Sequence, residues 1–109
     1  MKQFSSKRSI QILGHVLQQY GIDKMVISPG SRNAPLAIHF SELDSFECFS
    51  IIDERSAAFV AMGMAKSFKQ PVAISCTSGS AATNYYPAVV EAFYQNVPLL
   101  VLTADRPTD

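Results

Sequence analysis

Ser50-Ile51-Ile52-Asp53-Glu54-Arg55-Ser56-Ala57-Ala58 decides how this chain is expected to fold. An apolar run ends there on three consecutive charged residues, and the sequence then turns small and helix-forming. Residues 46–52, rich in aromatic and β-branched side chains, read as a short buried strand. Residues 57–68 read as a helix that is apolar on every side through Ala65. Asp53 is suited to cap that helix, which puts Glu54 and Arg55 in its first turn, at the carboxyl end of the strand. In open α/β sheets ligands bind at that edge, and a carboxylate at a helix start is favoured in its ionised form. On these residues alone the triplet fits two descriptions, a cap with a surface ion pair or a carboxylate that works on a ligand.

Outward from this stretch the same alternation repeats. Ser5 or Ser6 can cap a first helix with Ile10, Leu13, Val16, Leu17 and Tyr20 on one face, ended by Gly21. The opposite face carries His15, expected to meet solvent. Residues 24–28 (KMVIS) form a first strand, followed by the turn Pro29-Gly30-Ser31-Arg32-Asn33, whose last three side chains are each able to bind an oxyanion. Pro35 opens a second helix containing Leu36, Ile38, His39, Phe40 and Leu43, with His39 expected to be structural. After Gln70-Pro71, residues 72–76 (VAISC) form the third strand. The hydroxyl-rich loop 77–84 follows it, then a helix with Pro87 near its start, then the fourth strand at 98–103 and the turn Ala104-Asp105-Arg106-Pro107. Four strands alternating with four helices predict an α/β fold: a doubly wound parallel sheet in the order 2-1-3-4, with helices on both faces. The fourth strand would be an apolar edge, which soluble proteins normally cover, so the chain is expected to be a fragment of something longer.

Composition narrows the function. Nine basic and nine acidic residues cancel, and no Lys/Arg stripe interleaves with aromatics, which argues against nucleic acid. No run of 18 apolar residues suggests a membrane span, and residues 1–8 do not read as a signal peptide, so a cytoplasmic location is expected. Only 17% of residues are charged, against a usual ~25%, which points to a covered surface and a protein partner. Cys48 and Cys76 are far apart, without CxxC or a matched His pair, and are expected to be reduced and buried. The turns carry no GxGxxG, no GxxxxGK and no nucleophile elbow, which disfavours a dinucleotide site, a P-loop and a serine hydrolase.

Arg32, Arg55 and Arg106 each follow a predicted strand and so are expected on one rim. That clustering suits a ligand with carboxylate or phosphate groups. For Arg32 and Arg106 a local ion pair is an equal alternative, and for Arg55 a pair with Asp53 or Glu54 is the favoured reading.

Taken together, SPGSRNAPL at 28–36, DERSAAFVAMGMA at 53–65, CTSGSAATNYYPAVVEA at 76–92 and PLLVLTADRP at 98–107 resemble the N-terminal pyrimidine-binding domain of thiamine-diphosphate-dependent enzymes, and the resemblance implies that residues 1–109 are the N-terminal part of that domain in a longer enzyme. Among these enzymes, the chain is similar to the 2-succinyl-5-enolpyruvyl-6-hydroxy-3-cyclohexene-1-carboxylate synthases of menaquinone biosynthesis. The resemblance implies that Glu54 is the cofactor-activating glutamate, hydrogen-bonded to N1′ of the aminopyrimidine. It implies that Ser31, Arg32 and Arg106 bind the isochorismate-side substrate, and that Thr77, Ser78, Gly79 and Asn84 lie beside the pyrimidine. The implied reaction is decarboxylation of 2-oxoglutarate and addition of the succinyl unit to isochorismate, with thiamine diphosphate and Mg²⁺ as cofactors. The metal and diphosphate ligands would lie outside this chain, in a homodimer or homotetramer with active sites between subunits, and the fragment alone is expected to be inactive. Ser80 departs mildly, standing where threonine is usual. Two other readings compete: a different thiamine-diphosphate 2-oxoacid decarboxylase or acetolactate-synthase-like enzyme, and a non-catalytic anion-binding assembly module.

Overall fold

A computed structural model of the chain describes residues 7–105. Four helices alternate with four strands: α1 (Arg8–Gln19), β1 (Lys24–Ile27), α2 (Ala34–Glu42), β2 (Glu47–Ser50), α3 (Glu54–Phe68), β3 (Val72–Cys76), α4 (Tyr86–Gln95) and β4 (Leu99–Thr103). A 3₁₀ segment, Gly79–Tyr85, leads directly into α4. The sheet is entirely parallel in the order β2-β1-β3-β4, as the sequence predicts.

Alternation along the two inner strands sorts the core into two halves. Val26, Val72, Ile74 and Cys76 face α3 and α4, where the contacts are mostly alanines: Ala57, Ala58, Ala61 and Ala65 from α3, Ala88 and Ala92 from α4. Met25, Ile27 and Ala73 face the other way, onto Ile10, Leu17 and Phe40 of α1 and α2. Every residue of β3 is buried, as its central place requires. The alanine stripe lets α3 lie close over β1 as it crosses from β2 to β3. Both α3 and α4 end on residues in the left-handed conformation, Lys69 and Asn96, each at φ 56°.

Several local expectations are corrected. The Ser5/Ser6 cap lies outside the described residues; α1 starts at Arg8 after an extended Lys7 that makes no side-chain cap. Its buried stripe is Ile10, Gly14 and Leu17 with Leu13 beside it, whereas Val16 and Tyr20 point outward at 39% and 77% exposure. At 3.6 residues per turn Val16 stands roughly 110° from the centre of that stripe. The second strand is shorter and far less buried than residues 46–52 suggested: only Cys48 of β2 is half-buried, because β2 is an edge that pairs with β1 alone. Phe46, just before it, is buried edge-on against Phe40 at 4.8 Å, while Ile52 is 84% exposed. Helix α3 begins at Glu54, three residues earlier than its apolar segment, and buries one face rather than all of them. Cys76 is buried, Cys48 is half-buried, and both are free thiols.

His39 is buried at the end of α2, as expected of a structural histidine, and His15 is exposed. Burial lowers the proton affinity of His39, and the neighbouring His15 lowers it further. The unfolded chain therefore binds a proton near pH 6.5 that the folded chain resists. Stability from this group is complete above pH 6.5 and is lost as pH falls below it. Thermal melts at pH 7.5 and 5.5 should show the loss, and His15→Gln should make it smaller.

Candidate functional site

The carboxyl ends of β1, β2 and β3 lie side by side, and the three turns that leave them are bonded into one unit. Asn33 is fully buried at the base of the first turn. Its Oδ1 accepts from the Gly30 N–H at 2.8 Å, and its Nδ2 donates to the Ser28 carbonyl and to Ser75 Oγ, each at 3.2 Å. Ser28 continues the β1 ladder by donating its N–H to the Ser75 carbonyl at 2.9 Å. Its hydroxyl donates to the Ile51 carbonyl at 2.6 Å, which ties the turn after β2 to that after β1. The Arg32 N–H donates to Thr77 Oγ1 at 3.2 Å, closing the connection to the turn after β3.

Gly30 and Thr77 are in close contact. A Cβ on Gly30 would stand 2.5 Å from Thr77 Cβ, so only glycine fits there. Gly79 has φ +80°, which starts the 3₁₀ segment at a conformation that glycine adopts without strain. Within that segment Asn84 Nδ2 and Thr83 Oγ1 both donate to the Ser80 carbonyl, at 3.1 and 2.6 Å. Residues 79–84 are therefore a wound turn rather than an open loop.

Asp53 caps α3: its carboxylate accepts from the Ser56 N–H at 2.9 Å and from Ser56 Oγ at 2.7 Å. Those two bonds hold its carboxyl below the usual range, with Arg55 adding least. The pair expected between Arg55 and Asp53 or Glu54 is not among the salt bridges of the described residues, because Asp53 is already committed to the cap. Capping leaves Glu54 half-buried in the first turn of α3, beside the ends of β1 and β3. Its charge reaches two buried groups there. Cys76 is pushed up by burial first, with the Tyr85 hydroxyl opposing and Glu54 adding. Tyr85 is pushed well above the phenol range by burial, then by Cys76 and Glu54, with Ser28 opposing.

The site residues thus fall into three groups. Glu54, Ser31, Arg32, Thr77, Ser78 and Gly79 share the carboxyl rim, with Asn84 at the end of the 3₁₀ segment. Ser31 and Arg32 are exposed, and Arg106 lies outside the described residues. Asn33, read as able to bind an oxyanion, is instead turned inward, its amide spent on the turn itself. Sequence reasoning missed Tyr85 and the inward role of Ser28; both lie within the stretches at 76–92 and 28–36, but only burial singles them out.

A family model described as "Thiamine pyrophosphate enzyme, N-terminal TPP binding domain" matches residues 8–109. The chain belongs to this family. A Flavobacterium johnsoniae protein named 2-succinyl-5-enolpyruvyl-6-hydroxy-3-cyclohexene-1-carboxylate synthase is 60% identical over 87 residues, which is 80% of this chain and 16% of that protein. Proteins of the same name from Oceanobacillus iheyensis and Desulfotalea psychrophila are 60% and 53% identical, over 84% and 94% of this chain and 16% and 19% of theirs. The chain therefore spans less than a fifth of these relatives. In fold, it superposes on a benzoylformate decarboxylase from Polynucleobacter necessarius with a TM-score of 0.82 at 20% identity, covering 91% of this chain and 18% of that one.

The rim suits the pyrimidine half of a thiamine pyrophosphate cofactor. A flat heterocycle needs an acceptor carboxylate at one edge, and Glu54 has that carboxylate, half-buried at the head of α3. A separate apolar cleft of about 640 Å³ lies between the 3₁₀ segment, α4 and β4, lined by Ala82, Thr83, Tyr85, Tyr86, Val89 and Val101, and does not include Glu54. Among the described residues no group of three or more His, Cys, Asp or Glu side chains could hold a metal ion.

Two substitutions test the knot of turns. Gly30→Ala forces the turns after β1 and β3 apart and should cost about 1–3 kcal/mol in chemical denaturation. Asn33→Ala leaves buried partners unpaired and should cost a similar ~1–3 kcal/mol, although it removes atoms rather than adding them.

Proposed function

We propose that this chain is the pyrimidine-binding part of a thiamine-diphosphate-dependent transferase, a carboligase that decarboxylates 2-oxoglutarate and adds the succinyl unit to isochorismate in menaquinone biosynthesis. The observation that carries the reading is the position of Glu54. The Asp53 cap and the alanine face of α3 fix a carboxylate at the carboxyl edge of the sheet, in the half-buried place where a proton can be shared with a bound ring. The name carried by relatives that are 53–60% identical supports the choice of reaction.

In this reading Glu54 accepts or shares a proton at N1′ of the pyrimidine. Thr77, Ser78, Gly79 and Asn84 lie along the ring, and Tyr85 and its apolar neighbours keep water from that side. Bound thiamine diphosphate supplies the carbon nucleophile and electron sink that 2-oxoacid decarboxylation needs. Arg32 and Ser31, held outward by the turn that Asn33 organises, take a carboxylate of isochorismate, and Arg106 takes another. Mg²⁺ and the diphosphate are held by parts of the enzyme beyond this stretch, in a cytoplasmic homodimer or homotetramer whose active site is completed by a neighbouring subunit. The stretch alone is inactive.

The test is turnover of 2-oxoglutarate with isochorismate by the full-length protein, with and without thiamine diphosphate and Mg²⁺. Dependence on both cofactors is expected. Decarboxylation of another 2-oxoacid, with isochorismate left unused, would remove the substrate assignment. Glu54→Gln should lower kcat by about 10²-fold or more. Arg32→Ala should raise KM for isochorismate by about 10–100-fold while leaving that for 2-oxoglutarate within a few-fold.

A further inference from the structure

The side chain of Thr77 is committed to the turn after β1. Thr77 directly follows β3, an inner strand whose every residue is buried, so its backbone leaves a fixed element. A Cβ placed on Gly30 would stand 2.5, 2.7 and 2.9 Å from Thr77 Cβ, Cγ2 and Oγ1, which means that all three side-chain heavy atoms lie against the bare Gly30 backbone. A β-branched side chain has few χ1 settings. With Gly30 against its methyl, Thr77 holds Oγ1 toward Arg32 and accepts the Arg32 N–H at 3.2 Å, across 45 positions of sequence. Asn33 secures the same turn at Gly30 and Ser28, deep in the protein. Thr77 secures it further out, at the exposed residue that carries the guanidinium.

We infer that Thr77 is a positioning residue for Arg32: its Oγ1 fixes the backbone from which the guanidinium reaches the isochorismate-side substrate. The inference rests on the role given to Arg32 under the proposed function; the hydrogen bond itself does not. A guanidinium fork binds a carboxylate in a narrow range of geometries, and a long side chain on a loose turn spreads over many positions. Anchoring Arg32 to the end of β3 removes part of that spread before the substrate arrives, which strengthens substrate binding. Thr77 then lies along the pyrimidine by its backbone only, because the substrate turn occupies its hydroxyl and its methyl. Direct contact of that hydroxyl with the cofactor is the competing role, and the two roles differ in which ligand suffers when the hydroxyl is removed.

The experiment compares Thr77→Val and Thr77→Ser in the full-length protein, each alone and combined with Arg32→Ala. Valine keeps the branched shape and removes the acceptor; serine keeps the acceptor and drops the methyl. Thr77→Val should raise KM for isochorismate by about 3–10-fold. Its kcat, its KM for 2-oxoglutarate and its thiamine diphosphate requirement should stay within about twofold of wild type. Thr77→Ser should recover most of the loss, and Thr77→Ala, which brings no methyl toward Gly30, should repeat the valine result. In the Arg32→Ala background Thr77→Val should have less than half its effect. An equal loss of thiamine diphosphate affinity, an equal defect in Thr77→Ser, or full additivity with Arg32→Ala overturns the proposal. Hydrogen exchange at the Arg32 amide of the cofactor-free protein gives a readout without turnover: it should be faster in Thr77→Val than in wild type and Thr77→Ser, and equal exchange in all three overturns the proposal. If the wild-type protein does not consume isochorismate, the proposed function fails, and the exchange rates still decide whether Thr77 holds Arg32.

Discussion

The amide of Asn33 is hydrogen-bonded on both sides in the interior of the protein, and the carboxyl edge of the sheet depends on it. Its oxygen satisfies Gly30, its nitrogen satisfies Ser28 and Ser75, and the turn between those residues is held over β3 from within as well as by Ser28 on Ser75 and Arg32 on Thr77. In a low-dielectric interior such bonds are stronger than in water, and breaking one strands a polar group. The side chains of Ser31 and Arg32 project because that of Asn33 does not. Through Ser28 the same knot extends to Ile51, two residues before the Asp53 cap, so the position of Glu54 also depends on it.

Helix α3 supplies the second constraint. Its alanines bring it close over Val26 and Ile74, and its first turn is pinned by Asp53 and Ser56. Packing fixes the axis and the cap fixes the end, so the carboxylate at Glu54 is located by two independent means. The neighbourhood is affected too: burial first, and the charge at the head of α3 in small addition, raise the proton affinity of Cys76 and Tyr85.

Strand order, helix count and the Asp53 cap were legible in the sequence because each rests on a local signal: β-rich runs, small-residue stretches and a carboxylate before a helix. The burial of β2 was not, since Phe46, Phe49, Ile51 and Ile52 look the same whether a strand is central or at an edge. Only its pairing with β1 alone settles that. Among site residues, Glu54 and the SPGSR and TSGS turns stood out through charge and glycine. Asn33 was visible but read in the wrong direction, because a polar turn residue looks outward until its partners 5 and 42 positions away are known. Tyr85 carries no signal of its own in the sequence, and its burial and its hydroxyl, unpaired among the described residues, are properties of three-dimensional neighbours alone.

The poorly buried β2 strand has a consequence for how this sequence can drift. The carboxylate at Glu54 leaves from the end of the strand with the least packing, yet its location is set from next door, by Ser28 on Ile51 and by Ile27 receiving the Ile51 N–H at 3.0 Å. Backbone atoms of β2 and its turn carry the positional information, and most of its side chains do not. Glu47, Phe49, Ser50 and Ile52 are consequently open to exchange among strand-compatible residues, whereas Ser28, remote in sequence, is not.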